Sequence, residues 1–581
     1  MTERGANKTI QVENTAQAYL ELLRALGVKY FFGNPGTDFA SIIDAFAKFA
    51  VEGKTFPQPI TVPHEFCAVS MAHGYYMVTG EPQVVMVHTT VGTANALGAL
   101  INASRSNIPL LLTAGRTPIT ERGGAGNRDT YIHWAQESFD QGGMVREYVK
   151  WDYELRNFSQ LETVVRRALT IAMSEPKGPV YLTLPREILA EAHNEFAVAD
   201  ESPLAPTTAL YPDPEKIDEL ARAVAQAEHP LIITRNLGRN PQAVEWLSRL
   251  AELFALPVIE FPVPQYTNLP TNHPMHLGFD PGAYLPDADL VLVIECDVPW
   301  IPSQHKVNPA ARVVHIGVDP LYHRYPIWGF PAETLLLGEP GISLRHLTES
   351  LGKLRSAQEE KIAARFKWVR QEHERQRESW HKEALEKGES ARISLEWASY
   401  CLNQFKGEEL IIINEYDLSL RHFELRLPGN YFGNSPAGSL GWGVGAALGA
   451  KLAAPDKTVV AVVGDGSYIF SVPSACHMVS AMQQLPILVI VCDNGGWNSP
   501  QRATRAVHPK GWAVRTEHFP LTRFTVQPAY ERFVQAYGGY GVQVSTPGEL
   551  PAALAKAMKV VKEERRQAVV HVVCESIIPS G

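Results

Sequence analysis

No stretch of this 581-residue sequence holds the roughly 20 consecutive apolar residues that a membrane span requires. The opening MTERGANKTIQVENT is polar and lacks an apolar core, so it is not expected to be a secretory signal. Cysteine is scarce. Cys67, Cys296, Cys401, Cys476, Cys492 and Cys574 are scattered, four of them in apolar runs, with no C-x-x-C pair. That pattern argues against a zinc site and fits a reduced, cytoplasmic setting. An excess of positive charge is missing too. The formal net charge of -9 argues against a nucleic-acid partner, which would need a basic face. No short-period repeat is visible.

What is present is an ordinary soluble composition, 45% hydrophobic and 20% charged, in a chain too long for one core. Three segments alternate amphipathic helices with short apolar strands, the pattern of parallel α/β sheets. In the first, residues 9–190, helices are expected over 17–26 and 39–49. Strands are expected over 30–33, 83–88 and 110–114, with GPVYLTLP at 178–185 as the last. The proline-rich stretch 201–214 reads as a linker. The second segment, 206–350, has buried-strand runs at 231–234, 257–259, 290–295 and 313–318. Residues 355–390 are rich in Lys, Glu, Arg and Gln and read as a charged surface helix joining two domains. The third segment, 391–581, has strand runs at 409–414, 458–464, 487–492 and 569–574. The expected fold class is α/β, with three doubly wound parallel-sheet domains.

The strongest local signal lies in the third segment. One apolar strand run ends in Gly464-Asp465-Gly466-Ser467, and the next ends in Asp493-Asn494-Gly495-Gly496. Ligands of open parallel sheets bind at the carboxyl ends of strands. Two neighbouring ends would there present a carboxylate and an amide oxygen, a hard donor pair suited to Mg²⁺ with positions left for phosphate oxygens. Each motif alone also reads as a tight turn; the pair after two strands favours the site.

GDGS followed by DN resembles the cofactor motif of thiamine-diphosphate enzymes, where GDG is followed by NN. The resemblance implies Asp465 and Asn494 as side-chain ligands of Mg²⁺ and the Gly496 carbonyl as a third, with Gly464, Gly466, Ser467 and Trp497 around the diphosphate. Asp493 departs from the pattern. Pro63-His64-Glu65, before a helix over 66–77 containing Ala72-His73-Gly74-Tyr75, resembles the HE segment of the same superfamily. It implies that Glu65 hydrogen-bonds the cofactor's aminopyrimidine. Asn34-Pro35-Gly36 resembles the turn lining the pyrimidine. Gly438-Ser439-Leu440 resembles the segment whose carbonyl and wedge residue hold the bent cofactor. The segments follow the family order: pyrimidine domain, central domain, diphosphate domain. The implied cofactors are thiamine diphosphate and Mg²⁺, and the implied assembly is a homodimer or homotetramer whose active site joins the first domain of one subunit to the third of another.

Which reaction follows is less sharply marked. His88 and Thr37 fall where benzoylformate decarboxylases carry an active-site histidine and a serine, and His273 aligns with their second histidine. Gln136, flanked by His133 and Glu137, falls in the segment of acetolactate synthases and 2-hydroxyacyl-CoA lyases, where the glutamine faces the thiazole and a carbonyl oxygen. His133 or Glu137 is then a second acid or base. A basic run, Arg502, Arg505, Lys510, Arg515 and Arg523, could hold a carboxylate or a CoA phosphate. The expected function is a lyase or carboligase acting on a 2-oxo acid, with an acyl-CoA lyase or an inactive cofactor-binding homologue as alternatives. Gly441-Trp442-Gly443-Val444-Gly445-Ala446 mimics a dinucleotide fingerprint but follows a loop, so close helix packing is the expected reason for its glycines.

Overall fold

Runs such as VVMV, LIIINE, TVVAVVG and LVIVCD are apolar on both faces, so they are stable only where helices cover both sides of a sheet. In the computed structural model, which describes residues 7–199 and 206–575, each becomes an inner strand of an all-parallel sheet. The first sheet runs Gln58–Thr61, Tyr30–Gly33, Val84–Val87, Leu111–Arg116, Val180–Pro185, Asp152–Glu154. The central sheet runs Val258–Glu260, Pro230–Thr234, Leu290–Ile294, Arg312–Gly317, Thr334–Leu337. The third runs Tyr431–Gly433, Leu410–Glu415, Thr458–Gly464, Leu488–Asp493, Ala568–Val573, Tyr540–Val544. Numbered within each sheet, the first and third share the order 2-1-3-4-6-5. The chain thus contains two similarly wound sheets that its sequence does not show as a repeat.

Several expectations need correction. Val180–Pro185 is not the last strand of its segment: Glu195–Ala199 follows and pairs antiparallel with Asn7–Gln11. Short or half-exposed strands, Gln58–Thr61, Asp152–Glu154, Thr334–Leu337, Tyr431–Gly433 and Tyr540–Val544, went unread because each lies at or near a sheet edge and lacks a long apolar run. The charged helix spans Glu359–Gly388, and it is more than a surface connector. Ile362 and Val369 join the central core, and the Arg365 guanidinium donates to the carbonyls of Phe254 and Ala227. Of the expected linker, residues 201–205 lie outside the described residues. The rest, up to the helix Pro214–Gln226, has no regular structure. Among the described residues, no helix is long and apolar enough to cross a membrane.

The central sheet has its own apolar core, whereas one continuous core runs through the first and third sheets. The link is the crossing of helix Glu65–Thr79 with helix Trp442–Ala453. A Cβ on Gly449 would lie 1.9 Å from the Met71 carbonyl oxygen, and one on Gly74 would lie 2.1 Å from that of Ala446. Of the fingerprint-like glycines, Gly445 serves the same crossing, with a Cβ there 2.7 Å from Ser70 Cβ, whereas Gly443 makes room for Val463 and Glu415 and Gly441 (φ +95°) lies against the Phe470 backbone. Gly449→Ala is expected to cost about 1–3 kcal/mol by overpacking, read as a lower thermal midpoint. Gly352→Ala, where a Cβ meets nothing within 4 Å, is the control and should leave the midpoint unchanged or raised.

Candidate active site

Both outer sheets reverse their winding between their first and third strands, and the crevice beyond the carboxyl ends at such a reversal is where open sheets bind ligands. The strand ends there are Gly33 and Val87 in the first sheet, and Glu415 and Gly464 in the third. The candidate residues gather at these two points.

At the first point, Asn34 N–H donates to Met86 O (3.0 Å) and its side chain to Val62 O (3.1 Å), fixing the Asn34-Pro35-Gly36 turn. Glu65 opens its helix, nearly buried, and accepts from Asn95 Nδ2 at 3.3 Å. His88, just beyond the strand end, packs on the turn so closely that a Cβ on Gly36 would lie 2.2 Å from its Nδ1. The His88 ring is held from both sides. Its Nδ1 lies 2.6 Å from Asp38 Oδ1, and its Nε2 lies 3.2 Å from Gln136 Nε2. Asp38 was not legible in the sequence. It is buried, accepts from Thr89 N–H (3.3 Å), and fits only because Gly115 lacks a Cβ, which would stand 1.9 Å from Oδ2. The Asp38 contact raises the His88 pKa above the ordinary histidine value against the opposing effect of burial. Gln136 therefore reaches the site through His88.

The other candidates of this region divide. Thr37 Oγ1 lies 3.5 Å from His133 Nε2, so His133 belongs to the same cluster, its pKa lowered by burial and by Arg186. Glu137 is occupied: Arg116, Arg128 and Thr117 all donate to it. His273 faces Glu252 at 3.2 Å in the central domain, away from either strand-end crevice.

At the second point, Asp465 follows directly on the strand Thr458–Gly464 and begins the short helix Asp465–Phe470. It accepts from Gly466 N–H (2.8 Å) and Gly495 N–H (3.1 Å), which ties it to the Asp493–Gly496 turn. Asn494 Oδ1 is buried without a partner. Gly496 has φ +152°, and its neighbour Trp497 donates N–H to Thr522 O (2.7 Å). The Trp497 indole lies flush on Gly466, where a Cβ would be 2.1 Å away. Ser467 lies beside the buried Glu415 carboxylate. Glu415 accepts from Gly441 N–H (2.7 Å) and Gly443 N–H (2.6 Å), so it fixes the end of the Gly438-Ser439-Leu440 segment. Ser439 is bonded to Asn102 of the first domain through both its N–H and its carbonyl. Gly438 is exposed and Leu440 half-buried.

Three comparisons place this geometry. The N-terminal TPP binding domain, central domain and C-terminal TPP binding domain of the thiamine pyrophosphate enzymes match residues 13–144, 217–335 and 416–572. The chain belongs to the thiamine pyrophosphate enzyme family. It is 26% identical to the benzoylformate decarboxylase of Pseudomonas aeruginosa over 568 residues, covering 93% of this chain and 96% of that protein. It is also 26% identical to the acetolactate synthase isozyme 3 large subunit of Escherichia coli over 560 residues, covering 93% and 91%. Among solved structures, the fold matches benzoylformate decarboxylase from Polynucleobacter necessarius (TM-score 0.78, 20% identity, 97% and 99% covered). It also matches a 4-hydroxybenzoylformate decarboxylase from Rhodococcus jostii RHA1 (0.75, 22%, 97% and 99%).

The second crevice suits the magnesium diphosphate of this thiamine pyrophosphate enzyme. Its donors are oxygens, and Asn494 Oδ1 is an orphaned buried acceptor. Asp493, the departure from the family pattern, turns away from that role. Its Oδ2 meets His571 Nε2 at 2.9 Å, and His571 Nδ1 meets Glu531 at 2.9 Å. Burial opposes charge on both groups, but their contact overcomes it, raising the imidazole and lowering the Asp493 carboxyl. The remaining acids behave oppositely. Burial pushes Glu415 up to about 7 and, aided by Asp493, Asp465 up to about 7. Burial, and then the neighbouring Asp465 and Glu415, push Asp417 up to about 8, opposed by Arg502. Such raised carboxyls favour the fold while neutral, fully so below the ordinary carboxylate range, and that contribution is lost as pH rises through about 7 to 8. The thermal midpoint of the metal-free protein should therefore fall between pH ~6 and ~8.5. Magnesium with thiamine diphosphate should remove much of the fall, because the ion favours ionised Asp465. A midpoint that stays flat or rises over that range would contradict these assignments.

Proposed function

We propose that the protein is a thiamine-diphosphate- and magnesium-dependent lyase or carboligase that acts on a 2-oxo acid, by decarboxylation, acyl transfer or both. The observation that carries this reading is His88, buttressed by Asp38 and set beside Glu65 at the first crevice. The full-length similarity to benzoylformate decarboxylase and acetolactate synthase supports it.

The bound cofactor supplies carbanion chemistry next to a carbonyl. The chain's residues do the rest. Asp465, Asn494 and the Gly496 carbonyl would hold the magnesium ion, and Gly464, Gly466, Ser467 and Trp497 would shape the diphosphate crevice. Asn34, Pro35, Gly36, Gly438, Ser439 and Leu440 line the rings. Glu65 hydrogen-bonds the aminopyrimidine. His88 moves a proton at the substrate, and Gln136 and His133 orient around it. In the basic run, Arg505 is committed to Glu517 and Arg515 to the Trp512 ring, which leaves less free charge for a CoA phosphate. The 2-oxo acid reading is therefore preferred over an acyl-CoA lyase.

The contacts of Glu65 come from helix Thr89–Arg105, whereas those of Asp465 come from the Asp493–Gly496 turn. Each crevice carries exposed apolar residues nearby: Val91, Tyr131 and Trp134 at the first, Ile469, Phe470 and Met478 at the second. A homodimer or homotetramer that seats the first face on a second copy's other face completes the site and covers both patches.

Glu65→Gln should lower turnover of the preferred 2-oxo acid by about 10²–10⁴-fold while cofactor binding, read by Trp497 fluorescence, persists. Carbon dioxide release from benzoylformate or pyruvate supports the reading. Formyl-CoA release from acyl-CoA substrates, without 2-oxo acid turnover, would overturn it.

A further inference from the structure

Where the first domain meets the central domain, a cavity of about 460 Å³ remains, apart from both crevices. That volume suits a small organic ligand. The first-domain wall carries Arg105, Lys150 and Lys177, and the segment after strand Arg312–Gly317 brings Arg324 opposite them. All four cations donate to neutral oxygens: Arg105 to Arg324 O, Lys150 to Ile171 O and Ser174 O, Lys177 to Tyr76 Oη, and Arg324 to Glu147 O and Val149 O. Among the described residues, none of the four forms an ion pair with a carboxylate. Nε and Nη2 of Arg105, and Nε and Nη1 of Arg324, bond nothing and are not sealed in the interior. Stacking on Tyr148 and Tyr325 fixes the Arg105 plane and leaves its edge free.

The acids of the same cavity are already matched. Arg239 lies 3.2 Å from both Glu175 and Glu295, Arg235 lies 2.8 Å from Asp297, and His323 lies 2.8 Å from Asp319. Counting Arg235 and Arg239 behind the wall, six cations meet four acids. Two positive charges are therefore left over, in a chain whose net charge is -9. Burial, aided by Arg324, holds Lys150 down at about 8 against the pull of Glu175, and burial and Arg105 lower Arg324. Crowded cations without counter-ions behave in this way.

We propose that this cavity binds a small phosphomonoester, with its phosphate held by Arg105 and Arg324 and flanked by Lys150 and Lys177. Guanidinium edges match phosphate oxygens in pairs. A phosphate dianion equals the surplus charge, and the rings of Tyr322 and Tyr325 offer faces to an organic body. A dinucleotide fits poorly, because it would set its pyrophosphate against the turn after a strand. The turn after Pro230–Thr234 is filled: a Cβ on Gly238 would lie 2.3 Å from Thr267 O, and the Gly238 N–H donates to Asn268 Oδ1. The site also reaches the two crevices. Arg105 ends the helix Thr89–Arg105, whose Asn95 and Asn102 bond Glu65 and Ser439.

The test uses protein saturated with thiamine diphosphate and magnesium, so that the second crevice is filled. Glycerol phosphate should bind with a Kd of about 1 mM or tighter by titration calorimetry, and glycerol itself should not bind. Tungstate soaked into crystals of the same complex should give an anomalous peak in contact with Arg105 and Arg324. Arg105→Gln should weaken glycerol phosphate about 10-fold or more, the loss of one charge-assisted hydrogen bond, while the thermal midpoint without ligand stays unchanged. Tungstate found only elsewhere, or no saturable binding of glycerol phosphate, overturns the proposal without any variant. Unchanged affinity in folded Arg105→Gln protein overturns it too, as does binding of ADP or a dinucleotide in this cavity in place of glycerol phosphate.

Discussion

The contact between helices Glu65–Thr79 and Trp442–Ala453 is the constraint on which the rest depends. Bare glycines let the two backbones meet, and no larger residue fits at Gly449 or Gly74. The first helix begins at Glu65, and the second is capped by the Glu415 carboxylate beside Asp465. One close crossing therefore fixes the relative position of both crevices. The same contact merges two apolar cores into one, so burial on the order of 25 cal/mol per Å² of apolar surface supports the orientation of the site.

The two crevices sit at equivalent reversals of similarly wound sheets, yet they are electrostatically unlike. In the first, the Asp38 carboxylate lies against the His88 imidazole, with Glu65 and His133 close by. The second concentrates Glu415, Asp417, Asp465 and Asp493 around three strand ends. His571, Arg502 and the backbone N–H groups of Gly441, Gly443, Gly466 and Gly495 offset them from the protein side. Burial pushes Glu415, Asp417 and Asp465 toward the neutral form, whereas His571 holds the Asp493 carboxyl below its ordinary range. The acid surplus suits the second crevice to a cation, while Asp493 is taken up by His571.

The sequence showed the parts of the site that local pattern can carry. Asp465 and Asn494 were legible because each follows an apolar strand in a short motif, and Glu65 because it opens a recognisable helix segment. Asp38 was hidden because its partner His88 lies 50 residues away and its space depends on Gly115. Glu415 ends a strand without any glycine signature. His571 sits in the run Val569-Val570-His571-Val572 and reads as core until Asp493 and Glu531 appear on either side of it. The inner strands were readable for the same reason as the motifs, whereas edge strands, half exposed and short, carried no periodic signal. Of the glycines in the dinucleotide-like run, Gly445 packs on the crossing helix as expected, whereas Gly441 serves a left-handed turn and Gly443 makes room for Glu415.

The central claim is that each chain carries two half-sites completed by another copy. Mixing inactive Glu65→Gln with inactive Asp465→Ala protein, after reversible dissociation, tests it most directly. If the site spans two chains, each mixed dimer regains one intact site, and random reassortment restores about one quarter of the unmodified activity. If Glu65 and Asp465 of the same chain form the site, no mixture contains an intact one. Activity that stays at the level of the separate variants would then contradict the account.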